Sequence, residues 1–182
     1  MKKVIVPLAP GFEEIEMITV VNILRRSGAR VTIAGTVEGL IEGARGLKVL
    51  ADDSINNIEI EYFDLIVLPG GQPGTDNLKK DPRVIRLIKY MESKRRLIGA
   101  ICAAPIILEE CGLLKKNKIT SHPSVKESLF TDFYVEDRVV FDNNIITSRS
   151  PGAAMEFAFK LVEILFGKDR VEVVNNGVLG NI

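Results

Sequence analysis

Residues 96–110 read RLIGAICAAPIILEE: a short apolar run, one cysteine, then a helix-like segment. Ala100 and Ala104 stand two residues to either side of Cys102. Small residues at those positions suit a sharp strand-to-helix turn, as in the G-x-S-x-G nucleophile elbow. Pro105 fits the first helical turn, where its missing N–H costs nothing. A thiol at such a turn faces the positive end of the following helix and free backbone donors, both of which favour the thiolate. The local residues leave two readings open: an exposed nucleophile, or a buried core thiol, the commonest fate of a free cysteine.

The same strand-then-helix grammar recurs on both sides of this stretch. KKVIVPL (2–8) reads as a strand and FEEIEMITVVNILRRSG (12–28) as a helix closed by Gly28. RVTIAG (30–35) is the next strand, GLKVLADDSI (46–55) a weaker strand and turn, and FDLIVLPGG (63–71) a buried strand ending in a glycine turn. DPRVIRLIKYMESK (81–94) is a helix with Asp81 as N-cap and Pro82 at its first position. After the opening stretch, KIT (118–120) is a short strand running into SHPS, and FYVEDRVVFDNNIIT (133–147) one or two antiparallel strands. SPGAAMEFAFKLVEILFG (150–167) is the last long helix, with Ser150 as N-cap.

Strands alternating with helices imply an α/β fold, a mostly parallel sheet covered by helices on both faces. Residues 1–182 form one domain, a length ordinary for a single core. Hydrophobic residues are 46% of the chain and charged ones 26%, a globular composition. Lys+Arg and Asp+Glu are both 24. This balance lacks the basic excess of a nucleic-acid binder, so no specific nucleic acid is expected. No apolar run approaches the ~20 residues needed to cross a bilayer, and Pro7 and Pro10 break the N-terminal one, arguing against a signal peptide. The two cysteines, Cys102 and Cys111, would lie ~13 Å apart if they shared one helix, too far to bridge. Reduced thiols and a cytoplasmic location are expected. With a single histidine, a structural zinc site is not.

Ligands of parallel sheets bind beyond the carboxyl ends of the strands. Four loops place useful chemistry there: Glu13, Glu14 and Glu16 after the first strand, Gly70–Gly71, Cys102, and His122, the only imidazole. On a helical projection Glu16 sits with Phe12, Val20 and Ile23 rather than with the polar positions. A carboxyl on an apolar stripe resists ionisation, so its pKa should rise. Protonated, it can donate a hydrogen bond to a thiolate; ionised, it can carry a proton. Glu13 and Glu14 read instead as solvated first-turn carboxylates favoured by the helix dipole. The Gly70–Gly71 turn could aim backbone N–H groups at an oxyanion. Cys111, beside Gly112, reads as packing. Residues 35–49 contain glycines but no strand–G-x-G-x-x-G–helix context, so they are not a dinucleotide fingerprint.

PLAPGFEEIE (7–16), VLPGGQPGTDNL (67–78), AICAAP (100–105), SHPS (121–124) and TSRSPGAAMEFA (147–158) together resemble the ThiJ/PfpI family. They are most similar to its branch of parkinsonism-associated deglycases and bacterial YajL-like proteins. The resemblance runs along nearly the whole chain, with five motifs in order. It implies a flavodoxin-like α/β sandwich related to class I glutamine amidotransferase domains, usually a homodimer. Cys102 matches the family's reactive, oxidisable cysteine, Glu16 its protonated glutamate partner, and His122 the nearby histidine. Gly70 and Gly71 match the turn lining the pocket. The implied activity is glutathione-independent conversion of 2-oxoaldehydes such as methylglyoxal to hydroxy acids, with deglycation of glyoxal-modified groups. Redox sensing or chaperone-like protection through oxidation of Cys102 is the alternative. No cofactor is implied: neither metal, nucleotide nor glutathione. The protease-like branches place a histidine directly after the elbow cysteine, whereas this chain has Ala103, which argues against peptidase or amidase activity. Met17, Ile18, Val21 and Leu24 make helix 12–27 apolar almost all round, so a twin subunit is expected against it.

Overall fold

The structure, a computed structural model, describes residues 1–180. The chain runs through β1 (Lys3–Leu8), α1 (Glu14–Arg26), β2 (Arg30–Gly35), β3 (Leu40–Glu42), β4 (Lys48–Leu50), β5 (Asp53–Ser54) and β6 (Leu65–Leu68). It continues through α2 (Gly74–Lys80), α3 (Pro82–Ser93), β7 (Leu97–Ile101) and α4 (Pro105–Glu110). It closes with β8 (Val139–Asp142), β9 (Ile145–Ser148), α5 (Ala154–Phe166) and α6 (Lys168–Val178). Seven strands form one sheet in the order β5-β2-β1-β6-β7-β9-β8, and β3 and β4 pair separately as a hairpin. Every pairing in the large sheet is parallel except β8 with β9.

Side chains alternate across the sheet because the strand repeat is two residues. Val4, Val6 and Leu8 of β1 face a core shared with α1, α5 and α6, while Ile5 faces a second core shared with α3 and α4. The sheet is thus covered on both faces, as its apolar strands require. This is the flavodoxin-like α/β sandwich expected from the sequence.

Several elements differ from the sequence reading. Gly74 begins α2, a seven-residue helix with Leu78 as its one large buried apolar side chain, too little for a helical period to register. Ser150 caps nothing with its side chain; Pro151–Ala153 form a 3-10 turn before α5 begins at Ala154. That helix is not the last. After Gly167, α6 carries Val171, Val174 and Val178 onto α5. Residues 118–120 form no strand beyond a single bridge from Ile119 to Tyr134, and the antiparallel pair starts only at Val139.

The reading of α1 is corrected too. Met17, Val21 and Leu24 are buried within the chain, where α1 packs on α5 and the sheet, and of its apolar side chains only Ile15 and Ile18 are exposed. Glu14 is also buried. Its Oε1 accepts the Arg45 N–H at 2.6 Å and the Leu47 N–H at 3.4 Å, tying the β3–β4 turn to the start of α1. Among the described residues, no helix is long and apolar enough to cross a membrane.

Candidate active site

The carboxyl ends of β1, β6, β7 and β9 converge on one edge, and the elbow lies there. Cys102 follows β7 with φ +63°, a left-handed conformation that costs a residue with a Cβ about 1 kcal/mol or more. Two hydrogen bonds hold it. The Cys102 N–H donates to the Ser148 carbonyl at 2.8 Å, and the His122 N–H donates to the Cys102 carbonyl at 2.8 Å. Ala103 and Ala104 are buried behind it, and Pro105 begins α4. Cys102 therefore precedes the helix instead of sharing it with Cys111, which caps its far end; both thiols are free.

Glu16 reaches the elbow from α1. Its side chain is fully buried, its Oε2 accepts the Gly70 N–H at 2.7 Å, and the carboxyl is in hydrogen-bond contact with the Cys102 thiol. Oε1 is buried with no hydrogen-bond partner among the described residues. Burial, partly offset by the bonds to Gly70 and Cys102, raises the Glu16 pKa from 4.5 to about 7. The nearby Glu13 carboxylate adds to the rise.

Cys102 does not behave as the helix-end argument anticipates. Burial first, and then the charge and hydrogen bond of an ionised Glu16, push its thiol well above the ordinary range. The N–H groups of Ala103 and Gly71 point at the sulfur and pull in the opposite direction. Two acids in contact titrate as one system. With Glu16 ionised the thiol is held protonated, and with Glu16 protonated that repulsion is gone. Of the neighbours that act on the sulfur, only the Ala103 and Gly71 amides favour the thiolate.

Gly70 and Gly71 are both present at this point, but in different roles. Gly70 gives its N–H to Glu16, so it is not free to bind an oxyanion. A Cβ on Gly70 would lie 2.8 Å from Cys102 Cβ, 2.8 Å from Glu16 Oε2 and 2.9 Å from the Ile101 carbonyl. Gly71, at φ +91°, turns its N–H toward the sulfur and lies against the backbone of Glu13 and Gly11. Gly70→Ala is therefore expected to destabilise the fold by ~1–3 kcal/mol through overpacking. It should also separate Glu16 from Cys102, which urea unfolding together with thiol alkylation would register.

His122 reaches the elbow through its backbone, while its ring bonds to Ser124. Nδ1 lies 2.8 Å from Ser124 Oγ and accepts the Ser124 N–H at 3.2 Å, capping the 3-10 turn Pro123–Ser128. Ser148 and Ser124 were not singled out in the sequence. Both lie in the quoted motifs, but a carbonyl acceptor and a ring partner leave no mark on spacing. Among the described residues no group of three or more His, Cys, Asp or Glu side chains could hold a metal ion. A groove of about 760 Å³ between Arg138, Val139, Phe159, Lys160 and Val171 is lined by none of Cys102, Glu16, Gly70 or His122.

The DJ-1/PfpI family pattern matches residues 2–164. The chain is 42% identical over 181 residues to Protein dj-1beta of Drosophila melanogaster, covering 98% of this chain and 97% of that protein. It is 36% identical over 160 residues to the glutathione-independent glyoxalase DJR-1.2 of Caenorhabditis elegans, covering 87% of this chain and 85% of that one. The solved structure of oxidized Toxoplasma gondii DJ-1 superposes with a TM-score of 0.96 at 35% identity, covering 100% of both chains. With the family pattern matching most of its length and close relatives along nearly all of it, the chain belongs to the DJ-1/PfpI family.

Proposed function

We propose that this protein is a glutathione-independent glyoxalase that converts 2-oxoaldehydes such as methylglyoxal to 2-hydroxy acids, with Cys102 as nucleophile and Glu16 as the proton carrier. The observation that carries this reading is the fully buried Glu16 carboxyl, raised to about 7 and in contact with the only thiol at the sheet's functional edge. A general acid–base works best with a pKa near the working pH.

The steps follow from that pair. With the shared proton on Glu16, the Cys102 thiolate adds to the aldehyde carbon, a C–S bond forms, and Glu16 protonates the new alkoxide to give a hemithioacetal. The Glu16 carboxylate then removes the hydrogen on that carbon, and the electron pair moves toward the neighbouring carbonyl as an enediol. Returning the proton to the second carbon leaves a 2-hydroxyacyl thioester on Cys102. Water hydrolyses the thioester, releasing the hydroxy acid and regenerating the thiol. The sum is aldehyde plus one water, with the oxidation at one carbon balanced by reduction at the other. Gly71 and Ala103 N–H groups, both directed at the sulfur, are the donors nearest the developing negative charge. Adducts of the same aldehydes on amines or thiols present the same carbon to Cys102, so deglycation is the same chemistry with a different leaving group.

Incubation with methylglyoxal in the absence of glutathione is expected to yield lactate in catalytic amounts. Methylglyoxal left unconsumed by protein with a titratable free Cys102 would refute the reading. A second reading, redox sensing, draws on the Toxoplasma gondii relative, whose solved form is described as oxidized. Peroxide would take Cys102 through sulfenic to sulfinic acid, consuming one peroxide and releasing one water at each step. Protonated Glu16 could then donate to a sulfinate oxygen.

Assembly belongs to the same proposal: a homodimer formed through α1 and the β3–β4 hairpin. Ile18 and Leu50 are exposed and line one groove with Met17, Val21 and Val49. Ile18→Glu is expected to convert the dimer to monomer in sedimentation velocity, with its unfolding transition still cooperative. An unaltered sedimentation coefficient would place the interface elsewhere.

A further inference from the structure

Residues 11–14 are hydrogen-bonded on two sides. Toward the β3–β4 hairpin, the Gly11 N–H donates to the Glu42 carbonyl at 2.8 Å, and the Ala44 N–H donates to the Phe12 carbonyl at 2.8 Å. Toward the Gly70–Gly74 turn, the Glu13 N–H donates to the Gly70 carbonyl at 2.9 Å, and the Gly74 N–H to the Gly11 carbonyl at 3.1 Å. The Gly70 carbonyl and the Gly71 N–H belong to one planar peptide unit. Holding that carbonyl therefore aims the amide that faces Cys102, and the amide just before it, Gly70, is the one bonded to Glu16.

Glu14 closes the hairpin side of this strap. Its Oε1 accepts the Arg45 and Leu47 amides, while Oε2 is buried with no hydrogen-bond partner among the described residues. A half-satisfied carboxyl is costly to bury, and an apolar side chain would fill the space with less desolvation. What an apolar side chain lacks is an acceptor for two turn amides. We propose that Glu14 is a positioning residue for the Cys102–Glu16 pair. By tethering the β3–β4 turn to α1 it holds residues 11–14 against the Gly70–Gly71 peptide. The Gly70 and Gly71 amides are thereby kept on Glu16 and Cys102. Glu14 bonds to the hairpin and not to the pair, so its influence passes through the backbone. The tether rests on the proposed glyoxalase reading only for the reaction it serves.

The test is the pH profile of Cys102 alkylation by iodoacetamide in the full-length protein, read at the Cys102 peptide by mass spectrometry. It needs no aldehyde. If methylglyoxal is not turned over, the glyoxalase reading falls and this profile still decides the tether. Both amides favour the charged form of the group they face. Glu14→Ala is therefore expected to raise the midpoint of the profile by ~0.5–1 unit. That variant also empties buried volume, so Gly43→Ala supplies a second one. A Cβ there would lie 2.5 Å from Glu14 Oε1, forcing the carboxyl off the turn, and Gly43 lies outside the left-handed region, so its backbone is not strained. Its midpoint should rise as well. Glu14→Gln keeps the Oε1 acceptor and should retain the wild-type midpoint. A wild-type midpoint in folded Glu14→Ala or in Gly43→Ala would reduce Glu14 to a stabilising contact and overturn the proposal. An equal rise in Glu14→Gln would place the effect in its charge and overturn the tether too.

Discussion

Cys102→Ser is expected to reduce kcat/KM for methylglyoxal by at least about 10³-fold, to the background of the uncatalysed reaction. Serine is close in size and can keep the strained φ of +63° and both backbone bonds that hold the elbow. What it cannot keep is an ionisable nucleophile: a hydroxyl in the same pocket, with Gly71 and Ala103 amides directed at it, stays protonated. The stability of the variant should remain within ~1 kcal/mol of wild type in urea unfolding, because no packing is lost. A serine variant that retains turnover would move the chemistry away from the elbow.

Glu16→Gln should lower kcat by about 10²–10⁴-fold, the range for a lost general acid–base. The amide oxygen can still accept the Gly70 N–H that Oε2 accepts at 2.7 Å, so the turn is retained while the titrating proton is removed. The same substitution has a second signature in stability. Glu16 titrates from 4.5 in the unfolded chain to about 7 in the folded one. The folded state therefore holds its proton more tightly. This contribution to stability is fully present below 4.5 and is lost as pH rises through about 7, amounting to about 3 kcal/mol over that interval. Glu16→Gln should flatten that part of the stability profile, and chemical unfolding at pH values spanning the interval would show whether it does.

The parallel sheet was legible because its central strands, such as FDLIVLPGG and RLIGAI, are continuous apolar runs between amphipathic helices. Capping chemistry marked α3 clearly: Asp81 accepts the Arg83 N–H at 2.9 Å, with Pro82 beside it. The elements that escaped carry weak local signals. α2 has one large buried apolar residue, and α6 owes its helix to packing of Val171, Val174 and Val178 on α5, which no local window reveals. At the site, Glu16 stood out because a carboxylate on an apolar stripe is a local contradiction, and its burial resolves it. Glu14 lies two residues away and gave no such warning. Its burial depends on the β3–β4 turn folding back to donate Arg45 and Leu47 amides, a tertiary contact. The same limit explains Cys102. The sequence points to a helix end that would favour the thiolate, yet the three-dimensional surroundings raise the thiol and hand control of it to Glu16.

If Glu16 controls the sulfur, the pH dependence of Cys102 alkylation by iodoacetamide differs between wild type and Glu16→Gln. If the two groups share one proton, the wild-type rate rises as the pair loses its first proton near the Glu16 value of about 7, below the ~8.5 of a free thiol. Glu16→Gln should then lose that early rise, leaving a buried thiol that reacts only at higher pH. A wild-type midpoint at or above ~8.5, unchanged in Glu16→Gln, would contradict the shared proton and the mechanism built on it.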